Sequence, residues 1–535
     1  MMPAPTTDAR QLRRLARQTF GFQALRPGQE EAIRAAAAGR DVLAVLPTGA
    51  GKSAIYQLAA LIIPGPTVVV SPLIALQRDQ VAALRANGVD AAEANSQARA
   101  AERRQAFDDL IAGDLEFLFL APEQLANDEV LKQTAEAEPS LIVVDEAHCV
   151  SAWGHDFRPD YLRLGEVAET LGRPPILALT ATAAPPVRAE IVERLGLRDP
   201  LVVVRGFDRP NISLAVERFT DAGAKRAALV DRVVEVAPRP GVGIVYTATR
   251  RIAEEVAEVL AGRGVRAEAY HGGLPAARRR QVETTFTGDQ VDVVVATTAF
   301  GMGIDKADVR FVYHHDVADS PDSYYQEIGR AGRDGVPAEA VLFYRPEDLG
   351  LRRFFAGGGG AGPEDVAAVA DAVDQLGAVE AAALVEVTGL SRSRVIAALT
   401  CLDDGDDGEA PAVAAARAHE ERDARARIQQ SRVDMMRAYA EARGCRRQVL
   451  LGYFGEPLEE PCGNCDRCAA GPDAGAGASS GEPFEVHSRV SHATWGPGQV
   501  MGYEGDTMTV FFETAGYKTL ALELVEAGGL LTPAP

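Results

Sequence analysis

Leu141-Ile142-Val143-Val144-Asp145-Glu146-Ala147-His148 is an apolar run that ends in two carboxylates. Four consecutive aliphatic residues leave no solvated face, which predicts a strand buried on both sides in a parallel sheet. About ninety residues earlier, Leu46-Pro47-Thr48-Gly49-Ala50-Gly51-Lys52-Ser53 closes a similar run. A Gly-Lys-Ser turn between strand and helix, paired with an acidic strand tip, predicts a core that binds and hydrolyses ATP. Backbone N–H groups of Thr48, Gly49 and Gly51 would cradle phosphate, and Lys52 would reach the β/γ-phosphates. Ser53 and Asp145 would hold Mg²⁺, and Glu146 would orient the attacking water. The strict form of this turn carries Gly where Leu46 stands, so the later acidic pair strengthens the reading.

A chain of 535 residues exceeds one hydrophobic core and predicts three to five domains. The net charge of −21 argues against polyanion binding by the whole surface, while leaving room for a local basic groove. Only five of the 55 basic residues are Lys, so a Lys inside the Gly-Lys-Ser turn is not a product of composition. Neither a secretory signal nor a membrane-length apolar run is found, which predicts a cytoplasmic protein with no membrane partner.

Outward from the acidic strand, apolar runs alternate with helical stretches, which predicts an α/β fold of two doubly wound lobes. The first lobe spans 1–210 and the second 211–352. A Gly-rich stretch then precedes a helical, helix-turn-helix-like insert at 363–410, for which a plain helical spacer is the alternative. A zinc-binding module is expected at 425–470, a flexible linker at 471–483 and a small C-terminal β-barrel at 484–530.

Phe22, Arg26 and Gln29, just ahead of the phosphate turn, offer an aromatic face, a planar cation and an amide that suit adenine. In Gln326-Glu327-Ile328-Gly329-Arg330-Ala331-Gly332-Arg333 two arginines stand three residues apart, so Arg330 and Arg333 are candidate arginine fingers. Cys445, Cys462, Cys465 and Cys468 combine two Cys-x-x-Cys steps with a distant fourth thiol, a pattern for tetrahedral Zn²⁺. A redox pair is the rival and needs no fourth cysteine. Cys149 and Cys401 read as packing residues, and His271, His314 and His315 as structural.

These segments, with Ser71-Pro72-Leu73, Ala121-Pro122-Glu123, Leu179-Thr180-Ala181-Thr182-Ala183 and Ala299 to Lys306, follow the order of the RecQ family of DNA helicases, which the chain resembles. The resemblance implies two RecA-like lobes, and it adds Asp305 and Gln326 to the nucleotide-binding residues. Ser151 to Tyr161 is similar to that family's aromatic-rich loop, which senses single-stranded DNA. His148, Trp153, His155, Phe157 and Arg158 are then the DNA-binding and coupling candidates, with aromatic rings able to stack bases. The implied activity is ATP-dependent 3′→5′ unwinding of single-stranded and forked DNA substrates in repair or recombination, by a bacterial, nucleoid-associated protein. Alternatives are a nucleic-acid-stimulated ATPase without robust unwinding and an RNA helicase. The chain departs from the family by its insert before the cysteines and by a linker after them. Either the winged helix has moved to 364–402 or the usual wedge is missing. Arg489 to Val500 is similar to the Tudor-like tail of UvrD-type helicases, an expected dock for a protein partner.

Overall fold

A computed structural model of the chain describes residues 9–95, 98–151, 157–301, 304, 306–356, 363–376, 381–392, 394–395, 398–399, 411–471, 483–486, 488–504 and 506–534. The expected sites at Trp153, His155, Asp305 and Cys401, the acidic stretch Asp403 to Glu409 and most of the linker lie outside the described residues.

The chain divides into two compact bodies. The first holds residues 1–316, 321–344 and 442–473. It contains two parallel sheets, as the fully apolar runs require, since a strand covered by helices on both faces cannot alternate. In the first lobe β1 (Val42–Val45), β2 (Thr67–Val70), β3 (Ala91–Glu93), β4 (Phe117–Leu120), β5 (Leu141–Val144), β6 (Ile176–Thr180) and β7 (Leu201–Val204) lie in the order β3-β4-β2-β5-β6-β1-β7. Strand β6 separates β5 from β1, with Val45 opposite Thr180 and Val144 opposite Ala178. The phosphate turn, the acidic tip and Thr180 to Thr182 therefore emerge side by side at the carboxyl edge, where parallel sheets bind ligands.

The second lobe comprises β8 (Ile212–Arg218), β9 (Val242–Tyr246), β10 (Ala267–Tyr270), β11 (Val293–Ala296), β12 (Val309–His314) and β13 (Ala338–Tyr344), in the order β10-β11-β9-β12-β13-β8. Apolar-run reading misses one strand in each lobe. Ala91-Ala92-Glu93 has no β-branched residue, and β8 alternates as an edge strand, with Ile212, Leu214 and Val216 inward.

In the second body, helices Leu349–Ala356, Pro363–Leu376, Ala381–Thr388 and Pro411–Glu441 precede an antiparallel sheet. The insert has its own small core of Val366, Val369, Leu384, Val395 and Ala398. Strands β14 (Arg489–His492), β15 (Gly496–Glu504), β16 (Thr507–Phe512), β17 (Gly516–Ala521) and β18 (Leu531–Pro533) run in the order β17-β16-β15-β14-β18. This sheet packs on the long helix: Gly516 lies against Ser431, and Arg427 Nε donates to Thr514 O at 3.4 Å. No described helix is long and apolar enough to cross a membrane.

Candidate nucleotide site and zinc cluster

Gly49 and Gly51 both take left-handed φ values, 81° and 78°, and Gly51 caps the helix Lys52–Ala60. Glycine suits position 51 because L side chains rarely adopt its positive φ, and a Cβ there would stand 2.7 Å from Gln29 Nε2 and push that amide aside. Gln29 is buried and its amide donates to Ala50 O at 3.0 Å and to Gly51 O at 2.9 Å. Arg26 donates through Nη1 to Gly49 O, and its own N–H reaches Gln29 Oε1 at 2.8 Å. Phe22 stacks on Phe20 with centroids 5.5 Å apart and packs on the lobe core. Of the three residues read as an adenine pocket, Arg26 and Gln29 bond to the phosphate turn here, with the Gln29 amide on carbonyls of the turn, while Phe22 packs beside them. Lys52 Nζ donates to Leu46 O at 3.2 Å, so the residue replacing the usual first glycine contributes its carbonyl. Burial lowers the Lys52 pKa, against the pull of Glu146 and Asp145.

At the tip of β5, Glu146 holds a left-handed φ of 49°, costly for a non-glycine residue and therefore imposed by its surroundings. Its N–H donates to Asp145 Oδ1 at 3.0 Å, and Ser71 Oγ stands 3.4 Å from Asp145 Oδ2. Burial and the Glu146 charge push the Asp145 carboxyl up to about 7, with Lys52 opposing. His148 is buried, with Nδ1 2.8 Å from Thr180 Oγ1 and 3.3 Å from Glu146 Oε2. Thr180 donates its hydroxyl hydrogen to Thr182 O at 3.0 Å, so its oxygen is left to accept from His148 Nδ1–H. Burial alone would disfavour the imidazolium, but Cys149 and Glu146 reverse this and hold His148 at about 10. Glu146 is shifted down, burial notwithstanding, by the same imidazole. From Thr182 the path continues to the second lobe, where Gln326 Nε2 lies 3.4 Å from Thr182 Oγ1.

The end of the aromatic-rich segment is tied to this edge. Arg158 donates from its backbone to Cys149 O at 2.9 Å and from Nη1 to Pro72 O at 3.2 Å, and Phe157 beside it is half-buried. Tyr161, fully buried, donates to Asp145 O at 2.9 Å. Ser151 donates to Glu190 Oε2 at 2.5 Å.

The two arginines of the second lobe part company. Arg330 is buried and donates to Gly301 O within its own lobe. Arg333 reaches the phosphate turn, its Cγ 3.7 Å from where a Cβ of Gly49 would stand. Arg209, unnoticed in the sequence, clamps the turn between them by donating to Ala331 O at 2.7 Å and to Gly329 O at 3.0 Å. Asn211 Nδ2 donates to Gly332 O at 2.8 Å. Their signal was the polar Asp208-Arg209-Pro210-Asn211 between two strand-forming stretches.

The sulfurs of Cys445, Cys462, Cys465 and Cys468 all lie within 4.8 Å of one another, and Cys462 and Cys468 are 4.0 Å apart. Tetrahedral Zn–S bonds of about 2.3 Å give S···S edges of roughly 3.8 Å, so the set fits the ion. Backbone N–H groups of Cys462, Asn464 and Cys468 point at Cys445, Cys462 and Cys465 sulfur at 3.3, 3.4 and 3.4 Å. Burial opposes ionisation of Cys445, but N–H donors bring it down to about 7. Burial and neighbouring sulfurs push Cys462 and Cys468 up, a crowding of thiols that a divalent cation relieves. Asn464 O accepts from Leu214 N at 3.3 Å, so the cluster loop covers the edge of β8.

Three family models match the chain: "DEAD/DEAH box helicase" over residues 26–190, "Helicase conserved C-terminal domain" over 224–335 and "RecQ zinc-binding" over 409–469. The ATP-dependent DNA helicase RecQ of Pasteurella multocida is 40% identical over 455 residues, 85% of this chain and 61% of that protein. The chain thus spans about three fifths of that relative's length, and 62% of the RecQ helicase of Haemophilus influenzae. The probable ATP-dependent DNA helicase RecS of Bacillus subtilis is 36% identical over 458 residues, 84% of this chain and 90% of that protein. Among solved structures, Mycobacterium smegmatis helicase Lhr bound to ssDNA and AMP-PNP superposes with a TM-score of 0.51 at 24% identity. That match covers 77% of this chain and 59% of the other, and it shows the shared two-lobed fold. With one relative matched over nine-tenths of its length and the zinc-binding model on the four cysteines, this chain belongs to the RecQ helicase family.

Proposed function

We propose that the protein is an ATP-dependent 3′→5′ DNA helicase that translocates on single-stranded DNA and unwinds duplexes in repair or recombination. The observation carrying the ATPase part of this reading is the meeting of the Gly49 turn with Arg333 from the other lobe, beside Asp145 and Glu146, while substrate, polarity and pathway rest on the RecQ likeness. Lys52 and the N-terminus of its helix would bind phosphate, and Glu146, held by His148, would orient water. Asp145 and Ser53 would hold Mg²⁺, whose charge neutralises phosphate oxygens when bound; the Asp145 carboxylate, buried beside Glu146, offers the hard oxygen ligands that ion takes. Arg333 would stabilise charge developing on the transferred group, and Arg330 would shape the loop at Gly301. Phe157 and Arg158, with Trp153 and His155, would meet DNA and report through Tyr161 and Cys149 to the acidic tip. Weak base preference follows, since stacking and phosphate contacts carry little sequence information. A protein partner at the C-terminal sheet is part of the proposal. It is supported by the half-buried Trp495, stacked on His492 at 4.0 Å with Lys518 5.7 Å from its ring. A cytoplasmic, nucleoid-associated setting follows from the DNA substrate.

The test is ATP-fuelled unwinding of 3′-tailed, 5′-tailed and forked duplexes, with Lys52→Ala as control and RNA beside DNA as ATPase activator. The expected result is 3′-tail-dependent unwinding and DNA-stimulated hydrolysis, both lost in Lys52→Ala. Unwinding that survives in Lys52→Ala, or equal stimulation by RNA, defeats the reading.

A further inference from the structure

The helix Pro321–Ile328 has two sets of partners. Toward the cleft, Gln326 reaches Thr182, and Glu327 Oε2 pairs with His314 Nε2 at 2.7 Å. The turn after the helix carries Arg330 and Arg333. The zinc module holds the same side of the helix one turn earlier, since Asp322 and Gln326 are four residues apart. Tyr453 donates its hydroxyl to Asp322 Oδ2, and Phe454 packs on Tyr325 with centroids 4.9 Å apart.

Phe454 does a second thing. Its ring stacks on Phe207, in the connection between the lobes, at 4.6 Å and an interplanar angle of 7°. Tyr325 closes the triangle, edge-on to Phe207 at 5.6 Å and donating to Phe207 O at 2.8 Å. Glu456 accepts from Phe207 N at 2.8 Å, and Arg188 of the first lobe donates to Phe454 O while lying 5.9 Å from the Phe207 ring. All three rings are buried, so none is free to slide.

We propose that Tyr453 and Phe454 are positioning residues for ATP hydrolysis: wedged between the interlobe connection and the helix Pro321–Ile328, they set where Gln326, Arg330 and Arg333 meet the first lobe. The zinc module is then part of the motor's geometry as well as a fold element. A displacement of about 1 Å in a group that stabilises a transition state costs up to roughly a hundredfold in rate, whereas ground-state binding by Lys52 is untouched. The effect should therefore fall on kcat and spare KM. This rests on the ATPase reading above.

The experiment compares wild type, Phe454→Leu, Tyr453→Phe, Arg333→Ala and the double variant Tyr453→Phe/Arg333→Ala, each as full chain with its zinc content measured. Wild-type zinc in every variant, an unchanged KM for ATP, and a kcat about tenfold or more lower for Phe454→Leu are expected. Tyr453→Phe, which removes one hydroxyl, should lower kcat severalfold. In the double variant its effect should be smaller than in the wild-type background, because part of it runs through Arg333. If Phe454→Leu does not fold, Tyr453→Phe and its double variant carry the test. An unchanged kcat in Tyr453→Phe, a rise in KM with constant kcat, or multiplicative losses in the double variant overturn the proposal. Wild-type protein that hydrolyses no ATP with DNA present overturns the ATPase reading itself, and this inference with it.

Discussion

Replacing Arg333 and Arg330 one at a time by Ala separates two roles that are indistinguishable in Gly329-Arg330-Ala331-Gly332-Arg333. Arg333 is partly exposed and lies alongside Gly49, across the cleft from its own lobe. Removing an arginine finger costs about 10³–10⁵ in kcat, while loss of a partly exposed side chain alters stability by about 0.5 kcal/mol or less. Arg330 is buried to 7% exposure and donates to the Gly301 carbonyl. A hydrogen bond from a charged group contributes about 1.5–3 kcal/mol. At about 2 °C per kcal/mol for a large body, Arg330→Ala should melt about 3–6 °C lower. The assay is DNA-stimulated ATP turnover beside thermal unfolding of both variants. Arg333→Ala should lose turnover at an unchanged Tm; Arg330→Ala should lose turnover and Tm together. Turnover within tenfold of wild type in Arg333→Ala, or a lower Tm in that variant than in Arg330→Ala, would refute the assignment.

Tyr161→Phe removes the hydroxyl that Asp145 O accepts, worth about 1 kcal/mol; stimulation by single-stranded DNA should fall about fivefold with the KM for ATP unchanged, as read by ATPase titration with DNA. Asp41 is buried and accepts from Arg173 Nη2 at 2.6 Å, Arg198 N at 2.7 Å and Ile176 N at 2.8 Å. These donors outweigh burial and leave its pKa lowered. A depressed carboxyl stabilises the fold above its unfolded-state value and ceases to do so as pH falls through the folded one. Asp41→Asn should thus cost about 3 kcal/mol at neutral pH, and its gap from wild type in urea unfolding should close below about pH 4. Cys465→Ser should lower bound zinc, measured by metal analysis. It should also speed hydrogen exchange at the Leu214 and Val216 amides, whose acceptors Asn464 O and Asp466 Oδ2 lie in the cluster loop.

Patterns of short range made much of this protein legible in its sequence. Val42–Val45 and Leu141–Val144 announce buried parallel strands because no polar residue interrupts them, and the turn and the acidic pair follow each directly. The four cysteines announce their cluster because thiols at two-residue spacing can converge on one ion without help from the rest of the fold. Strand β8 escaped notice because its period is that of an edge, and only the cysteine loop beside it explains the pattern.

What only the tertiary structure decided concerns partners distant in the chain. Gln29 turns its amide to the phosphate turn because Gly51 leaves no Cβ in the way. Arg330 donates to Gly301 while Arg333 crosses to Gly49, although only two residues separate them. Phe454 comes to rest on Phe207 and Tyr325, nearly 250 and 130 residues away. A side chain's chemistry and local spacing are written in sequence, but which buried groups face each other depends on close packing of whole elements, where each contact is settled by all the others.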